Sequence, residues 1–227
     1  MLVNEVEVDP PSASDDACQY VELSGAPGYV VPSGTFFVSV NGDSGAFGSI
    51  TNAVDLSGAT VGANGTITII LDPVNIAECA GRAYDPDTTL VLVDDTFTIV
   101  GLGAESYLLV NTPLGVSDGD DIDVNNDEAI DPARLITVVD GFAFTVNNTL
   151  QAAYGPLVYD ALTQGGGSAD LPDAAARCFG NITPLSVAAW RYGELPGAPD
   201  NALGPFAVPT NAAGYFLTPS SQNNPCP

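Results

Sequence analysis

Residues 2–8, LVNEVEV, decide how the rest of the chain is read. Apolar and acidic side chains alternate here, with Leu2, Val6 and Val8 on one side and Glu5 and Glu7 on the other. A period of two is the mark of a strand with one face buried. The same period returns in QYVEL (19–23), where Val21 and Leu23 oppose Tyr20 and Glu22. It returns again in TFFVSV (35–40), with Phe36, Val38 and Val40 against Thr35 and Ser39, and in GTITIIL (65–71), with Ile67, Ile69 and Leu71. Further strands are expected at 88–93, 96–100, 106–111, 135–140 and 142–147. Gly, Pro, Asn and Asp clusters separate these short runs, which predicts an all-β sandwich rather than a βαβ protein.

Helix is confined to two short stretches. TPLSVAAWRYG (183–193) predicts two turns with Thr183 as cap and Pro184 at the first position, and DAAARC (173–178) predicts one. Long connections at 9–17 and 41–65 count as loop insertions. TQGGGSADLP (163–172) reads as a connector, and residues 164–227 read as a tail folded back onto one domain spanning 1–227. No fixed-period repeat is present.

The 227 residues carry 28 acids against four arginines, with no lysine and no histidine, for a net charge of −24. Such a surface repels phosphate backbones and anionic membranes, so neither nucleic acid nor membrane insertion is expected, and no run reaches the ~20 apolar residues of a span. Without histidine or lysine there is no Ser-His-Asp, Cys-His or Ser-x-x-Lys machinery. GGGSAD lacks the Lys-Ser/Thr of a phosphate loop. The chain is therefore read as no enzyme. Glu5 and Glu22, on what would be neighbouring strands, are the one carboxylate pair considered for glycoside chemistry, but they read as exposed strand positions.

Cys18, Cys79, Cys178 and Cys226 are widely spaced and form no C-x-x-C pair. They are disulfide candidates, with three pairings open, and they point to an oxidising, extracellular or cell-surface setting. The strand pattern starts directly after Met1, so an export signal is expected to be missing from this chain. Asn64, Asn147 and Asn181 begin Asn-x-Thr acceptor triplets.

DGDDIDVNNDEAID (118–131) is the densest acidic stretch. Two carboxylates ~5 Å apart repel by roughly 3 kcal/mol at an effective dielectric of 20, and a divalent cation reverses that sign. Calcium suits such oxygen donors, so Asp118, Asp120, Asp121, Asp123, Asn125, Asp127 and Asp131 are the candidate metal ligands, with Glu128 a further acid of the cluster. The Asp121-x-Asp123-x-Asn125 start mimics an EF-hand, but Asn126 stands at the turn glycine and Pro132 at the bidentate glutamate, so an irregular calcium loop or a hydrated surface loop are the alternatives. Trp190 reads as a buried plug of the sandwich, and Arg177 and Arg191 as partners of acids, one of them tying the tail to the sandwich.

Several stretches together resemble the lamin tail domain superfamily in its bacterial secreted form. LVNEVEVDP followed by YVELSGAPG is similar to its opening strand pair, LSGATVGANGTITII to its Gly-rich segment, and ESYLLV to an internal strand. DIDVNNDEAIDP with ITVVDGFAF resembles its acidic loop and following strand, and AARCFGNITPLSVAAWRYGELPGAPDN its closing Arg…Trp segment. The resemblance implies an immunoglobulin-like sandwich with no activity of its own. The expected function is a secreted structural or adhesive module, calcium-stabilised, in which edge strands support a homo-oligomer or extracellular assembly and the N-terminal strand is the docking edge. The alternatives are a calcium-dependent accessory domain for polysaccharide, and a metal-dependent hydrolase.

Overall fold

The computed structural model describes residues 1–9, 18–71, 84–94, 99, 103–164, 171–193, 195, 217–218 and 223. Their strands are β1 (Leu2–Glu7), β2 (Tyr20–Ser24), β3 (Thr35–Asn41), β4 (Ile50–Asp55), β5 (Thr66–Leu71), β6 (Thr89–Val93), β7 (Glu105–Asn111), β8 (Thr137–Thr145), β9 (Leu157–Asp160), β10 (Ala174–Arg177) and β11 (Trp190–Gly193). They form two sheets packed as an all-β sandwich. The first has the order β11-β10-β1-β2-β5-β6 and the second β4-β3-β7-β8-β9. Both are antiparallel except for one parallel pair at an edge, β5 with β6 and β8 with β9.

The main core lies between the sheets. Val6, Val21, Leu23, Ile67 and Ile69 of the first sheet face Phe37, Tyr107, Leu109, Phe142 and Phe144 of the second. Trp190 joins this layer, its ring centroid 4.3 Å from that of Phe142. A second cluster covers the outer face of the second sheet, where Phe36, Val38, Val40, Leu108 and Val110 meet Ile122 and Tyr154 from the loops. A third, smaller cluster sits on the outer face of the first sheet, where Ala174, Ala176 and Leu195 receive Leu217. The alternation of β3 is therefore real, but the face carrying Phe36, Val38 and Val40 looks outward, and loop residues bury it.

Several expectations need correction. Strict alternation places Leu2 inward, but an irregularity between Val3 and Glu5 shifts the register, and Val3 takes the core position. DAAARC is not a helical turn. Its alanines pair with β1 as β10, Ala174 and Ala176 pack with Leu195 and Leu217, and tertiary packing overrides the helical preference of alanine. The expected helix at 183–193 is one 3-10 turn, Val187–Ala189, that runs into β11. The strands expected at 135–140 and 142–147 are the single strand β8. β4 arises from a stretch read as loop, and β9 from one for which no element was expected. The strand expected at 96–100 lies almost wholly outside the described residues. The N-terminal strand, expected as the docking edge, is an interior strand held between β10 and β2.

Candidate functional site

The acidic stretch belongs to a long excursion between β7 and β8. Its apolar members anchor it: Ile122 is buried in the second cluster, and Val116, Ile130 and Ile136 pack against the same layer. Its backbone runs along the start of β4. The Ile50 amide donates to the Asp120 carbonyl at 2.8 Å, the Gly119 amide to the Ile50 carbonyl at 2.9 Å, and the Ile122 amide to the Gly48 carbonyl at 2.9 Å. Gly48 has φ +74°, and a Cβ there would lie 2.6 Å from the Asp123 amide nitrogen, so the close approach requires glycine.

The carboxylates organise this loop from within. Asp123 is fully buried and accepts from the Asp127 amide at 3.0 Å, the Glu128 amide at 2.9 Å and the Tyr154 hydroxyl at 2.7 Å. Asn126 and Glu128 take positive φ values of 54° and 66° around this turn. Asp121 accepts from the Asp123 amide, Asp131 from the Val124 amide and Asp120 from the Ser117 amide, each at 2.9 Å. Asp118 reaches out to the Ala53 amide at 2.5 Å. Asn125 and Asp127 bond each other's groups in a local turn. Backbone N–H groups thus supply the positive poles that crowded carboxylates need. Burial first, and then its bond to Asp123, hold the Tyr154 phenol well above its ordinary range, so it remains a donor.

Among the described residues no three His, Cys, Asp or Glu side chains form a group able to hold a metal ion. Asp123 turns inward to Tyr154, while Asp118 turns to β4.

Glu5 and Glu22 correct a second expectation. They are direct cross-strand partners, and with Glu7 they are buried rather than exposed. Glu5 accepts from Tyr20, from the Thr218 amide at 2.8 Å and from the Thr218 hydroxyl at 3.3 Å. Glu22 accepts from the Asn4 amide group at 2.5 Å. Asn223 donates to the Asn4 and Arg177 carbonyls at 3.0 and 2.9 Å. The pair lies under Thr218 and the polar groups around it, not in an open cleft.

Arg177 and Asp140 join the sheets. Arg177 Nη2 lies 2.5 Å from Asp140 Oδ2, with both side chains buried. Arg177 Nε donates to the Val3 carbonyl at 2.8 Å, and the Val3 amide donates to Asp140 at 2.9 Å. The Leu185 amide donates to the other Asp140 oxygen at 2.9 Å, and the guanidinium lies 4.6 Å from the Trp190 ring centre. Burial lowers the Arg177 pKa and Asp140 opposes that shift. Arg177 thus lies over the tryptophan as well as against Asp140. The sequence signal for Asp140 was an aspartate inside an apolar strand run, in a chain with only four possible guanidinium partners.

Glu105 was not anticipated. It is buried at the start of β7, and Thr51 donates to it at 2.5 Å. Burial raises its carboxyl to about 8, Thr51 pulls it down and nearby Asp43 pushes it up. Asp43 itself accepts from the Ala104 amide at 3.0 Å and the Gln151 amide group at 2.6 Å.

Cys18 and Cys178 are buried and disulfide-bonded, while Cys79 and Cys226 lie outside the described residues. Compared with known proteins, the chain matches no family model, no curated protein and no solved structure.

Proposed function

We propose that the chain is a non-catalytic structural or adhesive module of a cell surface or extracellular matrix, built as an immunoglobulin-like sandwich of the lamin-tail kind. One observation carries this reading. The buried carboxylates Glu5, Asp123 and Asp140 each accept several internal hydrogen bonds, from Tyr20 and Thr218, from Asp127, Glu128 and Tyr154, and from Val3, Leu185 and Arg177. Acids held this way stiffen a scaffold, whereas an acid–base pair must reach a substrate proton. The net charge of −24 and the bonded cysteines suit a salt-rich, oxidising exterior. Calcium enters this reading as one of the counter-ions gathered by the exposed acids.

The test is turnover. The purified chain, with and without calcium or magnesium, is assayed on chromogenic glycosides, esters and phosphate esters. No release above buffer is expected. Hydrolysis that is lost in Glu5→Gln or Glu22→Gln overturns the proposal.

A further inference from the structure

A hollow of about 350 Å³ opens at the end of the first sheet where β1 and β5 begin and β2 and β10 end. Its volume lies at the small end of the range of ligand pockets. Its lining departs from the composition of the chain. The sequence carries 28 acids, yet no carboxylate is among the described residues that line this hollow. Arg177 reaches the lining but is fully engaged, with Nη2 on Asp140, Nε on the Val3 carbonyl and Nη1 on the Thr183 carbonyl at 3.1 Å. Phe179 and Ile182 supply apolar surface there and are 52 % and 79 % exposed.

Three polar groups of this lining make no hydrogen bond among the described residues. Asn4 gives its amide N–H to Glu22 and leaves Oδ1 uncommitted. Asn181 accepts the Thr183 amide on Oδ1 at 3.1 Å and leaves Nδ2 uncommitted, and the Ser24 hydroxyl has no partner. These groups sit on fixed backbone. Asn4 is the residue that the irregularity of β1 leaves without a partner on β2, and a bulge of this kind re-aims its side chain. The Asn181 loop is closed by its own amide on the Cys178 carbonyl at 3.0 Å and by Arg177 on Thr183. The set therefore holds an acceptor, a donor and a group that is both. A carboxylate or phosphate would use only the donors, a cation only the acceptors, and neither would meet an uncompensated opposite charge in this lining. A sugar hydroxyl donates and accepts, and the C–H face of a pyranose packs on the negative face of an aromatic ring such as Phe179. We propose that this hollow binds an uncharged pyranose unit of a glycan, without calcium. This rests on the adhesive reading above and names the chemistry of the ligand.

The probes are methyl glycosides of glucose, galactose, mannose and N-acetylglucosamine, with their disaccharides, titrated into the full chain in EDTA and followed by saturation-transfer NMR. Saturable binding of at least one of these neutral sugars is expected. Phe179→Ala should weaken it roughly tenfold and Ser24→Ala about threefold, while Phe179→Tyr should keep it. Added calcium should change nothing, and the methyl glycoside of glucuronic acid should bind no better than that of glucose. Absence of binding across the neutral panel overturns the proposal. So does a need for calcium, a preference for the uronic acid, or unchanged affinity in Phe179→Ala with its melting temperature intact. Where Phe179→Ala melts early, Ser24→Ala decides by the same criterion. Binding is read without turnover, so a chain that takes none of these sugars still passes the test of the non-catalytic reading, and the two failures are distinct.

Discussion

Arg177 of β10 grips Asp140 of β8 across the sandwich at 2.5 Å, and the same two side chains bind both backbone polar groups of Val3. One ion pair thereby fixes three strands and the Leu185 turn. Removing one partner strands a buried charge and the Val3 amide. Asp140→Ala should cost about 3–5 kcal/mol, while Asp140→Leu/Arg177→Met should recover much of that loss. Urea denaturation of the three proteins checks this, and a loss in Asp140→Ala below ~1 kcal/mol would refute the clasp.

Stability should fall as pH rises from about 4.5 to about 8 because of Glu105. Its carboxyl titrates near 8 in the fold against an ordinary value of 4.5. The folded chain therefore holds a proton that the unfolded chain releases between those values. The contribution is fully present below about 4.5, declines as pH rises by at most ~1.4 kcal/mol per pH unit, and is lost above about 8. Glu105→Gln should flatten this slope between pH 5 and 8, as read by urea midpoints (on the order of one pH step apart). A variant with the parental slope would place the titration elsewhere.

The acidic loop should keep its shape without a bound ion. Calcium should raise the melting temperature no further than magnesium or sodium chloride of matched ionic strength, by screening alone. A saturable shift specific to calcium that vanishes in Asp121→Asn would contradict this.

Tyr154 and Gly48 hold the loop from opposite sides. Tyr154→Phe deletes one bond to buried Asp123 and should cost about 1.5–3 kcal/mol, because the acceptor is charged. Gly48→Ala should be at least as damaging, since its Cβ would press on the Asp123 backbone. Amide exchange at Asp127 and Glu128 reports both changes, and protection equal to the parent would show that the contacts are idle.

The alternation of Val21 and Leu23, and of Ile67 and Ile69, was legible because those faces meet only the inter-sheet core. It misled where both faces are covered. Glu5 and Glu22 look solvent-facing in one dimension, yet both are buried, and Glu5 is bonded by Thr218, nearly the whole chain away. Gly141 reads as a break between two strands. It lies inside β8 at φ +146°, where the Tyr107 backbone leaves no room for a Cβ. In the acidic loop the eye is drawn to the carboxylates, yet Ile122 anchors it, and nothing local tells an anchor from a stray isoleucine. The Arg177–Asp140 pair was half legible, since a buried arginine bridge to the tail follows from so few cations, but its acid partner needed the sheet order.

The Val3 carbonyl and its Arg177 donor are 174 positions apart in the chain. A polypeptide emerging N-terminus first shows β1 with one flank bare until β10 has been synthesised. Contacts of such long sequence separation close slowly, on the order of milliseconds to seconds. Translation products that stop short of Arg177 would carry an uncovered, β-prone flank, with Asp140 lacking its guanidinium and Glu5 its Thr218 bonds, so a release error late in synthesis should yield aggregate rather than a smaller folded protein.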